Sequence, residues 1–159
     1  MSEKVFITGA SSGIGAALAI EFAKRGATLG ISARRSEKLQ SIAQKCKESG
    51  ATDVFTYTVD VTNQDSSEST AKDFIAAANG IDIIIANAGV AYSDKISSGE
   101  ATQINQVFST NILGVTNSII PFVPTMKENS SGKIVIISSI ASFRPIAFHG
   151  GYSASKSAV

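Results

Sequence analysis

The sequence predicts an α/β fold built on a doubly wound parallel sheet. Short apolar runs alternate with helical patterns along the whole chain, the signature of repeated strand-helix units. Two of the runs, Ile81 to Ala86 and Lys133 to Ser138, are almost continuous Ile and Val, the composition of strands covered on both faces. A glycine-rich turn, Thr8-Gly9-Ala10-Ser11-Ser12-Gly13-Ile14-Gly15, directly follows the first apolar run and opens a helical pattern.

In order, the strands are expected at Lys4 to Thr8, Thr28 to Ser32, Val54 to Val59, Ile81 to Ala86 and Lys133 to Ser138. The first helix places Ile14, Ala17, Leu18 and Phe22 on one apolar face, and Gly26 supplies its stop. A second helix carries Leu39, Ile42, Ala43 and Cys46 on its inner face, opened by a cap at Ser36 and closed near Gly50. Asp65 to Ala78 gives a weaker helical pattern. A long helix from about Glu100 to Val123 shows the stripe Ile104, Val107, Phe108, Ile112, Val115 and Ile119, and Asn111 falls on that stripe. A buried amide needs partners, or it costs about 1–3 kcal/mol.

The 159 residues form one domain by length, with a net charge of +1 that offers no electrostatic grip on nucleic acid or anionic lipid. The lone Cys46 cannot form an intrachain disulfide, which fits a reducing compartment. Met1 to Lys4 is too short and polar for a signal peptide. Ile112 to Met126, interrupted by Asn117, Pro121 and Pro124, is too broken to span a bilayer, which needs roughly 20 mostly apolar residues. A cytoplasmic protein without membrane or nucleic-acid partners is the expectation.

Glycines between a strand and a helix permit a sharp turn and close backbone approach, while the helix N-terminus offers unpaired N–H groups and a favourable dipole. Gly9, Gly13 and Gly15 therefore point to a dinucleotide pyrophosphate. At the end of the second strand, where NAD(H)-binding sheets carry a carboxylate for the ribose hydroxyls, the chain reads Ser32-Ala33-Arg34-Arg35. Two guanidiniums there suit a 2′-phosphate, which favours NADP(H) over NAD(H). Near the other end, Tyr152 and Lys156 lie four apart and share a helix face. A cation beside the phenol favours the phenolate and makes Tyr152 usable for proton transfer.

Thr8 to Gly15, Asn87-Ala88-Gly89, Asn111, Ser138-Ser139 and Tyr152-Ser153-Ala154-Ser155-Lys156 stand in the order and spacing of the short-chain dehydrogenase/reductase family, classical type. The chain resembles that family from Lys4 onward. The resemblance implies a Rossmann-like NAD(P)-binding domain over residues 1–159, incomplete at its C-terminal side and lacking the family's last strands and substrate lid. Strand five would then be an exposed apolar edge.

The resemblance further implies that Tyr152 is the general acid or base and that Lys156 hydrogen-bonds the nicotinamide ribose. Ser139, thirteen residues before Tyr152, would polarise the substrate oxygen, and Asn111 would hold a water linking Lys156 to solvent. Gly9, Ser11, Ser12, Gly13, Ile14 and Gly15 would line the pyrophosphate, with Arg34 and Arg35 at the 2′-phosphate. Asp60 and Val61 would meet the adenine, and Asn87, Ala88 and Gly89 would flank the adenosine half. His149 has no role in the family pattern and reads as a loop residue. The implied function is NADP(H)-dependent interconversion of a small-molecule carbonyl and alcohol. The competing reading is a catalytically inactive nucleotide-binding fragment. Full-length family members form homo-oligomers through the Asn111 and Tyr152 helices, which leaves the state of this chain open.

Overall fold

Five short strands lie parallel in one sheet: β1 (Lys4–Thr8), β2 (Thr28–Ala33), β3 (Asp53–Thr58), β4 (Ile83–Ala86) and β5 (Lys133–Ile136). The computed structural model describes residues 2–159. The strand order is β3-β2-β1-β4-β5, so the chain reverses direction of travel between β1 and β4. Ligands of such sheets bind in the crevice at that reversal, off the carboxyl ends of the strands.

Helices cover both faces. On one face α1 (Gly13–Lys24) and α2 (Ser36–Glu48) bury Val5, Ile7, Leu29, Ile31, Leu39 and Cys46. On the other, α3 (Gln64–Ala78) and the helical run from Thr102 to Glu128 enclose Phe6, Phe74, Ile84, Val115 and Phe122. Gly30 makes the second core possible. A Cβ there would collide with Phe6 and stand 2.6 Å from the Phe74 ring, so aromatic side chains occupy the space a side chain would take.

The inner face of α1 differs from the expected one. Ala16, Ala19 and Ala23 are buried, whereas Ile14 is 60% exposed and Ala17 is exposed; Leu18 and Phe22 pack only at the margin. Small side chains let the helix axis lie close to the sheet, and this close approach outweighs the larger apolar residues on the neighbouring face.

The long helix also departs from a regular stripe. It comprises α4 (Thr102–Phe108), a π-helical turn (Ser109–Leu113), α5 (Gly114–Ile119), a 3₁₀ turn (Ile120–Phe122) and α6 (Val123–Glu128). The widened turn shifts the register, so Phe108 is exposed while Val107, Asn111, Val115 and Ile119 point inward. Pro121 and Pro124 do not break the run, because each sits at the start of a new segment where its missing N–H is not needed. The 27-residue run from Thr102 to Glu128 is therefore long and apolar enough to cross a membrane by length and composition, contrary to the expectation that it is too interrupted. Its Val115, Ile119, Phe122 and Met126 are packed in the second core.

Strand ends shift by one or two residues from expectation. β4 begins at Ile83 because Asp82 turns its carboxylate onto the neighbouring strand and accepts the Lys4 N–H at 2.8 Å. β5 stops at Ile136 and, among the described residues, pairs with β4 alone, leaving Ile134 49% exposed at the sheet edge. The last helix, α7 (Gly150–Ser157), carries Tyr152 and Lys156.

Candidate active site

A cleft of about 400 Å³ opens over the β1–β4 reversal and joins nearly every element the sequence singles out. Its walls include Gly9, Ser11, Ser12, Ile14, Arg34, Arg35, Asp60, Val61, Asn87, Ala88, Gly89, Tyr152 and Lys156. Residues at opposite ends of the chain thus face one space.

The glycine-rich turn forms its floor. Gly9 adopts φ +69°, and a Cβ there would lie 2.8 Å from the Ala88 Cα. At Gly15 a Cβ would lie 2.5 Å from Asn87 Nδ2 and 2.7 Å from the Gly9 carbonyl oxygen. A side chain at Gly9 would push the segment after β4 off the turn, and one at Gly15 would displace Asn87 and the turn's own backbone. Gly13 marks the start of α1, and Ser12 at its N-cap makes no side-chain capping bond. The first N–H groups of α1 are thus left to a ligand, the arrangement that suits a phosphate.

Asn87 braces this turn, donating from Nδ2 to the Thr8 carbonyl at 2.9 Å and to the Gly9 carbonyl at 3.3 Å. The Thr8 hydroxyl accepts from the Asn87 and Ala88 backbone N–H groups, both at 3.1 Å. Thr8 and Asp82 therefore fasten β4 to β1 at opposite ends of the strands. Sequence reasoning gave neither a role, since only the sheet pairing brings their partners near.

Beyond the turn, Arg35 donates to the Ser11 and Ser12 hydroxyls at 3.1 and 2.9 Å, which holds its guanidinium over the phosphate loop. Arg34 stands 3.9 Å from Asp60, both largely exposed. Asp60 spends its Oδ1 on the Thr62 N–H and hydroxyl, so it also stabilises the loop after β3. Asn117 reaches that loop from α5, donating to the Val61 carbonyl at 2.9 Å.

At the far end, Lys156 is buried and donates from Nζ to the Ile137 carbonyl at 2.7 Å. Desolvation pulls its pKa below the ordinary lysine value. Tyr152 is half-buried one helical turn earlier. Asn111 is fully buried in the π-helical turn and is bonded at both ends of its amide. Its Oδ1 accepts the Val90 N–H at 2.8 Å, while Nδ2 donates to the Val90 carbonyl at 2.9 Å and to Ser155 Oγ at 3.0 Å. Its side chain is thus a brace between β4's loop and α7.

The two serines after β5 divide differently. Ser138 lines the cleft but donates its proton to the Lys156 carbonyl. Ser139 stands outside the cleft lining and its Oγ accepts the Ala141 N–H at 3.2 Å, with no acceptor for its own proton among the described residues. His149 occupies the N-cap position of α7 without a side-chain cap, and its Nδ1 lies 3.0 Å from the Ala147 carbonyl, away from the cleft.

The glycine cradle, the free helix N-terminus and the guanidinium pair fit a phosphorylated dinucleotide. Comparison with known proteins agrees on the family. The short chain dehydrogenase pattern matches residues 3–159. An uncharacterized oxidoreductase of Listeria innocua is 38% identical over 98% of this chain, and one of Myxococcus xanthus is 35% identical over 94%. This chain spans 62% and 59% of those relatives' lengths. The alcohol dehydrogenase of the archaeon Thermococcus sibiricus, solved with 5-hydroxy-NADP, superposes with a TM-score of 0.92 at 31% identity, over 99% of this chain and 67% of that one. The cleft, the sheet order and the family pattern converge, and the chain belongs to the short-chain dehydrogenase family.

Proposed function

We propose that this chain binds NADP(H) and interconverts a carbonyl and an alcohol, with Tyr152 as the acid/base. One observation carries the reading: Tyr152 and Lys156 line the same cleft as the phosphate turn and the Arg34–Arg35 pair. When bound, the nicotinamide cofactor supplies the hydride for reduction and accepts it in oxidation.

In reduction the Tyr152 hydroxyl gives its proton to the carbonyl oxygen as the alcohol forms, and in oxidation the phenolate takes it back. Lys156 lines the same cleft one helical turn after Tyr152 and would hold the nicotinamide ribose there. Ser139 keeps its hydroxyl proton uncommitted but stands outside the cleft lining, so its role in polarising the substrate oxygen rests on the family spacing to Tyr152. Arg35, already held by Ser11 and Ser12, and Arg34 beside it select the 2′-phosphate. NADP(H) is favoured over NAD(H) by these two cations and by the absence of a carboxylate at the end of β2.

The test is NADPH binding together with NADPH oxidation against a panel of ketones and aldehydes. Tyr152→Phe is expected to bind NADPH as the wild type does and to lose at least about 100-fold in kcat. Binding without any turnover in the wild type would replace the enzyme with a nucleotide-binding domain.

A further inference from the structure

One carboxylate outside the cleft is aimed at the helix that bears the reactive pair. Asp94, half-buried in the segment after β4, accepts the Gly151 N–H on both oxygens, at 3.4 and 3.1 Å. Its own N–H donates to the Phe148 carbonyl at 2.6 Å. Gly151 belongs to the first turn of α7, whose N–H groups have no partner within the helix, and a negative charge is favoured there.

Three features show that this contact is built in. The N-cap residue His149 provides no side-chain bond, so Asp94 takes over the capping from a distant segment. A Cβ on Gly150 would stand 3.0 Å from Asp94 Oδ2, and one on Gly151 would stand 3.2 Å from Asp94 Oδ1. Phe148 holds φ +60°, a left-handed conformation that bulky residues avoid unless their surroundings impose it. The Asp94 N–H holds its carbonyl in that position.

The same segment is tied to α7 a second time. Val90 is bonded in both directions to Asn111, which also donates to Ser155 Oγ. The two ties reach α7 on either side of Tyr152, at Gly151 and at Ser155.

We infer that Asp94 is a positioning residue, which fixes the first turn of α7 and thereby the direction in which Tyr152 presents its hydroxyl to the cleft. The inference rests on the reading of Tyr152 as the acid/base. Tyr152 directly follows Gly151, so release of that N–H frees the tyrosine backbone to move, and a displacement of about 1 Å at a reacting group costs on the order of 100-fold in rate.

The experiment compares wild type, Asp94→Ala and Asp94→Asn by amide hydrogen exchange across residues 150–153, by NADPH dissociation constant and by kcat. In Asp94→Ala, exchange at Gly151 is expected to rise about tenfold or more. Its kcat is expected to fall about 10- to 100-fold while the NADPH dissociation constant stays within about twofold. Asp94→Asn keeps an acceptor oxygen and is expected to recover most of the rate. Unchanged exchange in Asp94→Ala would overturn the inference, as would faster exchange with an undiminished kcat, or an Asn variant as slow as the Ala variant. If Asp94→Ala does not fold, Gly151→Ala, whose Cβ crowds Asp94, takes its place with the same expected split. A wild type that binds NADPH but reduces nothing would sink the Tyr152 reading instead, and the exchange data alone would then decide the clamp.

Discussion

Asn111 and Val90 are joined by a reciprocal pair of hydrogen bonds, amide oxygen to N–H at 2.8 Å and amide nitrogen to carbonyl at 2.9 Å. The side chain thus acts as a short strand partner for an irregular loop. Asn111→Ala leaves both Val90 groups and the Ser155 hydroxyl without that partner, which is expected to cost about 1–3 kcal/mol of unfolding free energy. Urea titration of the variant checks the value. A loss below about 0.5 kcal/mol would mean that water replaces the amide with little penalty.

The two arginines after β2 are held to different degrees. Arg35 is fixed by two serine hydroxyls, whereas Arg34 has only a 3.9 Å exposed ion pair with Asp60. A pre-placed guanidinium loses less freedom when it meets a phosphate. Arg35→Ala is therefore expected to weaken NADPH binding by about 10- to 100-fold, the range of one charge-assisted hydrogen bond. Arg34→Ala should weaken it less, and neither variant should change NADH binding by more than about twofold. Titrations with both nucleotides test this, and equal losses for NADPH and NADH would remove the argument for the 2′-phosphate.

Much of the fold and cleft could be read from local sequence, and the misreadings have common physical origins. Runs of Ile and Val in β4, the glycines of the turn and the Tyr152–Lys156 spacing are local signals that tertiary packing did not override. Side-chain size points to the wrong face of α1, because Ala16, Ala19 and Ala23 win by letting the helix approach the sheet. A period of 3.6 carried through Ser109 to Leu113 puts Phe108 on the inner stripe, whereas the turn widens there and Phe108 is exposed. The side-chain bonds of Asp82, Asp94 and Thr8 reach partners between 57 and 80 residues away, and no window along the chain connects them.

Gly30 is flanked in the sheet by Phe6 of β1 and Phe55 of β3, its register partners. The rings close over it, with Phe6 and Phe74 centroids 5.2 Å apart in an edge-on arrangement. Gly30→Ala is expected to destabilise by about 1–3 kcal/mol through overpacking, despite the better strand propensity of alanine. Adding Phe74→Leu should recover part of this, giving a coupling of at least about 0.5 kcal/mol in the double-mutant cycle. Strict additivity would show that the added methyl is accommodated elsewhere.

Lys156 connects stability to the proposed chemistry. Its ammonium is buried, and desolvation lowers its folded-state pKa below the unfolded value of about 10.4. Below the folded pKa both states hold the proton, and the full cost of burying the charge falls on the folded protein. Between the two values the unfolded chain keeps a proton that the folded one has released, so stability rises with pH across that window. Relative to Lys156→Met, the wild type is thus expected to be least stable near neutrality and to gain as pH climbs towards about 10. Titrations of other groups are shared by both proteins and largely cancel in the difference. Urea unfolding of the pair at about pH 7 and about pH 10 provides the measurement. A gap that moves against the wild type as pH rises would mean that the bond from Nζ to the Ile137 carbonyl outweighs desolvation. The predicted direction follows from burial of an ammonium in the wall of the cleft that Tyr152 also lines.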